Sequence, residues 1–184
     1  MNAALANKDD LILGFLDETS PQTAANTQRL WSFTKPVIKK NTTNIRANTF
    51  GFYALNGESQ IAFKENSKKQ SVCDFLEQIR EANPEKDIVV ILDNFRSHWA
   101  NKTREKARGL NISLVYLPPY SPDLNPIEFI WKSIKRHISP LFIETKEMFL
   151  DTIKGMFYTL VKSLSFADDW INEYLENKFD LFRQ

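Results

Sequence analysis

Two runs without a polar position stand out along the chain, residues 11–16 (LILGFL) and 88–92 (IVVIL), followed by a mostly apolar run at 112–117. Unbroken apolar runs of this length fit strands covered on both faces, as in a sheet with helices on either side. The first runs directly into Asp17-Glu18 and the second into Asp93-Asn94, so each puts a carboxylate at its C-terminal end. Residues 46–55 and 60–64 flank Asn56-Gly57, a dipeptide that tolerates the positive φ angles of a tight turn, and they predict an antiparallel hairpin. Between 20 and 44 the pattern weakens. Trp31 and Phe33 alternate with polar residues before Pro36, which predicts one short strand there.

Helical periodicity fills the remainder. Ser71 followed by Asp74 has the form of a capping box, and Val72, Phe75, Leu76 and Ile79 recur at helical spacing behind it. A charged helical stretch follows residue 94 and ends near Gly109. Four prolines between 118 and 126 make the next segment stiff and extended, after which Asn125 can cap a helix that begins at Pro126. Ile127, Ile130, Trp131, Ile134 and Ile138 form one stripe of that helix, which makes Trp131 a core residue rather than a stacking platform. Phe149, Ile153, Phe157, Leu160 and Leu164 fit another helix, and Trp170, Ile171, Tyr174 and Leu175 a last one. Strands, then alternating strand and helix, then helices imply an α/β fold with a mixed sheet. The division expected is an N-terminal tail over 1–10, a core over 11–140 and a helical extension over 141–184.

Composition narrows the class. With 184 residues, 42% hydrophobic and 26% charged, the chain suits one globular domain and not a disordered, collagen-like or disulfide-built one. The formal charge of +1 means that any basic surface must be local. A single cysteine, Cys73, fits a reducing compartment, and neither a signal peptide nor a membrane-length apolar run is evident, so a cytoplasmic location without membrane contact is expected.

The chemistry lies in the acids. If the first and second apolar strands are neighbours, Asp17 and Asp93 converge beyond their carboxyl ends, where open α/β sheets place their ligands. Close carboxylates repel and call for a hard, oxygen-binding cation such as Mg²⁺ or Mn²⁺. Glu128, in the first turn after the proline-rich segment, is the candidate third acid, and three acids could hold two ions for in-line displacement at phosphorus. The bland alternative makes the aspartates strand-ending polar residues and Glu128 the capping-box partner of Asn125.

Residues 92–98 (LDNFRSH), the run 117–128 (LPPYSPDLNPIE), then Trp131 and Lys135, closely resemble the catalytic core of DDE transposases of the mariner superfamily, especially the bacterial and archaeal insertion-sequence branch. Thirty-four residues separate Asp93 from Glu128, the spacing of that family's second and third acids, and Phe15-Leu-Asp-Glu18 resembles its first-acid strand. The resemblance implies an RNase H-like fold with a five-stranded sheet, a catalytic and metal-binding triad of Asp17, Asp93 and Glu128, and two Mg²⁺ or Mn²⁺ ions. It also implies cleavage at transposon ends, strand transfer to target DNA and a homodimer on DNA. The upstream helix-turn-helix region of intact relatives is missing from the first ten residues. A non-transposing RNase H-like nuclease, or an inactive DNA-binding or dimerising remnant, stays open beside this reading.

Asn94 and His98 are placed at the margin of the site, where His98 could orient an acid, contact substrate or cap the next helix. Asp123 is a rival third carboxylate in an irregular turn. From Phe95 through Arg136 eight basic residues oppose three acidic ones. Lys132 and Lys135 share the helix face of Glu128, so these two with Arg136 and Arg96 are the candidate DNA contacts, sequence-independent and salt-sensitive. From Glu144 to Gln184 eight acids oppose five bases, which argues for packing or dimerisation rather than a DNA-binding tail.

Overall fold

The computed structural model describes residues 11–23, 33, 41, 44–119 and 121–176. Among them five strands build one mixed sheet: β1 (Leu11–Thr19), β2 (Asn48–Ala54), β3 (Gln60–Lys64), β4 (Asp87–Leu92) and β5 (Ile112–Tyr116). The order is β3-β2-β1-β4-β5, antiparallel across β1–β2 and β2–β3 and parallel across β1–β4 and β4–β5. This is the five-stranded RNase H-like arrangement expected from the sequence. The strand expected around Trp31 lies outside the described residues.

Helices cover both faces, which is why β1 and β4 carry no polar stripe. On one face α1 (Lys69–Ala82) and α3 (Asn101–Gly109) bury Val72, Phe75, Leu76, Ile79 and Ala107 against Ile12, Leu16, Phe50, Phe52 and Val90. On the other, α4 (Ile127–Ile138) and α5 (Lys146–Leu160) bury Ile127, Trp131, Phe149, Ile153 and Phe157 against Phe15, Tyr53 and Ile91. Ala167, just before the short α6 (Asp168–Ile171), is buried in this second cluster, which ties the C-terminal helices to the sheet. A four-residue turn of helix, α2 (Arg96–Trp99), links β4 to α3. None of the described helices is long and apolar enough to cross a membrane.

Several local expectations are corrected. β1 runs on to Thr19, so Asp17 and Glu18 lie inside the strand rather than after it. The hairpin loop spans residues 55–59, and none of the described glycines has positive φ. Asn56 instead extends the sheet with its side chain, donating from Nδ2 to the Leu11 carbonyl (2.6 Å) and accepting the Leu13 N–H at Oδ1 (2.9 Å). Gly57 is needed for space, since a Cβ there would stand 2.8 Å from Asn83 Oδ1 and 2.9 Å from Ile12. Ser71 is not a cap, because α1 starts two residues earlier and the Ser71 hydroxyl bonds Asn66 Oδ1 (3.2 Å). The left-handed residue after α3 is Asn111 (φ 52°), not Gly109. Beyond α5 the chain turns, and exposed Leu164 begins a separate 3₁₀ turn instead of continuing the helix.

Candidate active site

In the parallel β1–β4 ladder Leu16 stands beside Leu92, so Asp17 and Asp93 are the next residue of each strand line. Side chains alternate along a strand, and Phe15 and Ile91 both pack on the α4 side. Asp17 and Asp93 therefore face α4, where Glu128 occupies the first turn. All three acids line one cleft of about 540 Å³, walled by Pro118, Pro119 and Pro122 of the stiff segment after β5. Asp123, the rival acid, is exposed and does not line that cleft.

The electrostatics of the three acids differ. Asp17 is 7% exposed, and burial first, then the charges of Glu128, Asp93 and Glu18, push its carboxyl up to about 8. Asp93 is half-exposed and lies below the usual carboxylate range. Burial pulls it upward, but the hydrogen bond and charge of His98, with the Phe95 N–H, outweigh that pull. His98 is buried, its Nδ1 2.7 Å from Asp93 Oδ1 and its Nε2 3.3 Å from Glu18 Oε1. Desolvation acts to lower its pKa, yet the two carboxylates raise it to about 9. His98 is thus a clamp on Asp93 and not a helix cap.

Glu18 is the residue sequence reasoning missed. The signal was available: adjacent strand residues point to opposite faces, so Glu18 had to leave Asp17 and meet whatever followed β4 on the α1 side. Asn94, placed at the site's margin by the sequence, lines the cleft, and its Oδ1 accepts the Trp99 indole N–H. Trp99 stacks on Tyr116 with centroids 4.1 Å apart, and the Tyr116 hydroxyl donates to the His98 carbonyl (2.9 Å), which fixes the turn that carries the imidazole.

Asn125 does not cap α4. Its side chain is buried and lines the cleft, and its Oδ1 has no hydrogen-bond partner, while its backbone carbonyl accepts the Glu128 N–H (3.0 Å). Lys132, Lys135 and Arg136 are exposed on α4, with Lys132 Nζ 5.7 Å from the centroid of the Phe129 ring. None of these cations lines the acidic cleft. Arg96 opens α2, and its side chain lies outside the described part of the structure.

Among the described residues no three His, Cys, Asp or Glu side chains form a ready-made metal cluster. The donor set nevertheless fits a hard divalent ion. Three carboxylates meet one cleft, burial and then the charges of its neighbours raise Asp17, and the buried Asn125 oxygen lacks a partner. Mg²⁺ retains several waters and takes substrate phosphate oxygens, so it does not need a closed protein cage.

Residues 13–149 match the family described as DDE superfamily endonuclease. The Tcb2 transposable element transposase of Caenorhabditis briggsae is 28% identical over 72 residues, covering 39% of this chain and 26% of that protein. Among solved structures, the Mos1 mariner paired end complex with Mn is similar with a TM-score of 0.62 at 16% identity, over 82% of this chain and 48% of that one. The Mos1 transposase catalytic domain with Raltegravir and Mg is similar with a TM-score of 0.57 at 16% identity, over 81% of this chain and 71% of that one. This chain thus spans about a quarter of the curated relative and about half of the Mos1 chain in the paired end complex.

Proposed function

Because the chain belongs to the DDE superfamily endonucleases, we propose that its acidic cleft cuts DNA at the ends of a mobile element and joins the freed 3′-hydroxyl to target DNA. The observation that carries this reading is the β1–β4 register, which sets Asp17 beside Asp93 on the face where Glu128 opens α4. Asp17, Asp93 and Glu128 would hold two divalent ions, Mg²⁺ or Mn²⁺. Such ions supply activation of the attacking oxygen and stabilisation of the leaving one.

The chain's own residues prepare the site. His98 keeps Asp93 ionised and fixes its orientation, the prolines hold the opposite wall still, and Asn125 offers a buried oxygen toward the cleft. Cleavage uses water as nucleophile and joining uses the DNA 3′-hydroxyl, so no covalent bond to the protein is needed. The Mn and Mg forms of the Mos1 structures support the choice of ions, and the paired end complex supports a dimer on DNA. Recognition of the element's ends would fall to a separate helix-turn-helix region.

The test is nicking of supercoiled plasmid in Mn²⁺, followed by analysis of joined products. Wild type is expected to nick and Asp93→Asn to lose nicking below detection while its circular dichroism stays unchanged. Metal-dependent nicking that survives in Asp93→Asn, above a mock purification, would falsify the assignment.

A further inference from the structure

Beside the acidic cleft lies a second hollow that shares Asp17, Asp93 and Phe95 with it, and a third hollow adjoins the second. The smaller, about 220 Å³, is bounded by Asp17, Glu18, Asp93 and His98 on one side and by Ser20, Asn48 and Ser67 on the other. The same Ser20, Asn48 and Ser67 line a hollow of about 740 Å³ between the β2–β3 pair and the start of α5. The three hollows are thus neighbours in series, the third reached from the acids by way of the walls of the second.

Its walls carry Arg46, Lys64 and Lys146, against one carboxylate, Glu65. Among the described residues none of these three cations lies within ion-pair distance of an acid, Glu65 included. They come from three distant parts of the sequence: the residue ahead of Ala47 and β2, the last residue of β3 and the first of α5. No charge run announces them, and Lys146 sits within the C-terminal segment whose balance is acidic. At the junction, Asn48 Oδ1 accepts from the Ser20 hydroxyl (3.3 Å) and from the Ser67 hydroxyl (3.2 Å). Its Nδ2 is buried with no partner.

Three cations with no ion-pair partner among the described residues, one hollow away from an acidic, cation-seeking cleft, form a charge pattern with a specific use. The acids repel a polyanion except where divalent ions bind, so the rest of the strand needs compensating positive charge nearby. We propose that this hollow is a second DNA-binding site, in which Arg46, Lys64 and Lys146 hold the phosphodiester backbone of the strand that leaves the cleft past Asn48. The inference extends the reading above and rests on it for the identity of the strand. It places backbone contacts on the β2–β3 side of the acids, of the same sequence-independent kind as those expected on α4 but on a different part of the surface. Contacts of this kind replace condensed counterions, so each contributes about 0.9 to the slope of log affinity against log salt on duplex DNA.

The experiment measures binding of a fluorescein-labelled 30-base-pair duplex of arbitrary sequence to the 184-residue chain by anisotropy, across a salt series and in EDTA. Replacing Arg46, Lys64 and Lys146 together by Gln is expected to weaken binding at least about tenfold at low salt and to lower the slope by about 2 to 3. A charge-matched control, Lys86, Arg108 and Lys154 to Gln, removes three exposed cations elsewhere and is expected to retain most of the affinity. Should the triple variant fold poorly, the single changes Lys64→Gln and Lys146→Gln are each expected to lower the slope by about 1. Wild-type affinity and slope in the folded variants, or an equal loss in the control, overturns the site. Plasmid nicking separates the two proposals. Nicking abolished by Asp93→Asn with binding unchanged in the triple variant overturns the basic hollow alone. Binding lost in the triple variant, with no nicking by wild type, overturns the catalytic reading and keeps the hollow.

Discussion

Asp17 and Glu18 are neighbours in sequence and occupy different chemical worlds. Asp17 faces α4 and competes with other carboxylates, whereas Glu18 faces the opposite way and shares His98 with Asp93. Truncating His98 leaves Glu18, nearly buried, with an uncompensated charge, so His98→Ala is expected to cost about 2–3 kcal/mol of stability by urea unfolding. His98→Gln, which keeps a hydrogen-bonding group, is expected to cost less. Equal losses in the two variants would show that only packing is at stake. At this scale the three acids were legible from strand ends and motif spacing, and so was the buried role of Trp131. Glu18 was hidden because a charge directly beside a recognised acid reads as part of the same group until the period of the strand is applied. The buried carboxamide of Asn125 was hidden for a different reason. An Asn before a helix is ordinarily its cap, and only the fold shows that side chain turned toward the cleft without a bond.

Among the elements, α4 is held against the sheet by a contact that admits no extra atom. Gly51 pairs with Asp17 across the β1–β2 ladder, and a Cβ on it would stand 2.4 Å from the Trp131 ring. Trp131 in turn stacks on Phe157 with centroids 5.5 Å apart. The height of α4 above β1, and with it the position of Glu128, is set through this glycine. Gly51→Ala is expected to cost about 1–3 kcal/mol through overpacking and to reduce nicking beyond what the lost stability explains. Adding Trp131→Phe to that variant is expected to restore part of both. An unchanged Tm and unchanged nicking in Gly51→Ala would refute this account. The α4 stripe, β3 and β4 were readable in advance because the hydrophobic pattern is unbroken there, and α3 does end at Gly109 although the left-handed residue after it is Asn111. Boundaries failed where side chains substitute for backbone, as when Asn56 lengthens the sheet and Asn66 rather than Ser71 organises the start of α1.

Taken whole, the molecule is three layers whose second core joins β1 to the C-terminal helices. Tyr53 pins that junction, its hydroxyl donating to the Ser163 carbonyl at 2.7 Å. Burial, with the charge of Asp168, pushes its pKa from 10.0 up to about 12. Below pH 10 the phenol is neutral in both folded and unfolded chains, and above it the unfolded chain releases the proton first. Stability linked to Tyr53 is therefore intact below about pH 10 and declines as pH rises toward 12. Tyr53→Phe is expected to lose about 1 kcal/mol at neutral pH and to show a shallower decline in urea midpoint between pH 9.5 and 11.5 on the order of that window. Parallel curves for the two proteins would contradict the assignment. The mixed sheet was foreseeable because only neighbouring helices on both faces permit strands without a polar side; the basic hollow was not, because its cations meet only once distant segments are brought together. The same distance governs β1 and β4, where Leu11 pairs with Asp87 across an intervening hairpin and helix. Such long-range pairing pays its loop-closure entropy before it gains anything, so it forms slowly. During synthesis Asp17 emerges long before Asp93, and Glu128 later still. A nascent or prematurely terminated chain thus lacks the assembled acidic cleft, and the cutting centre proposed for it would exist only once α4 has followed the completed sheet.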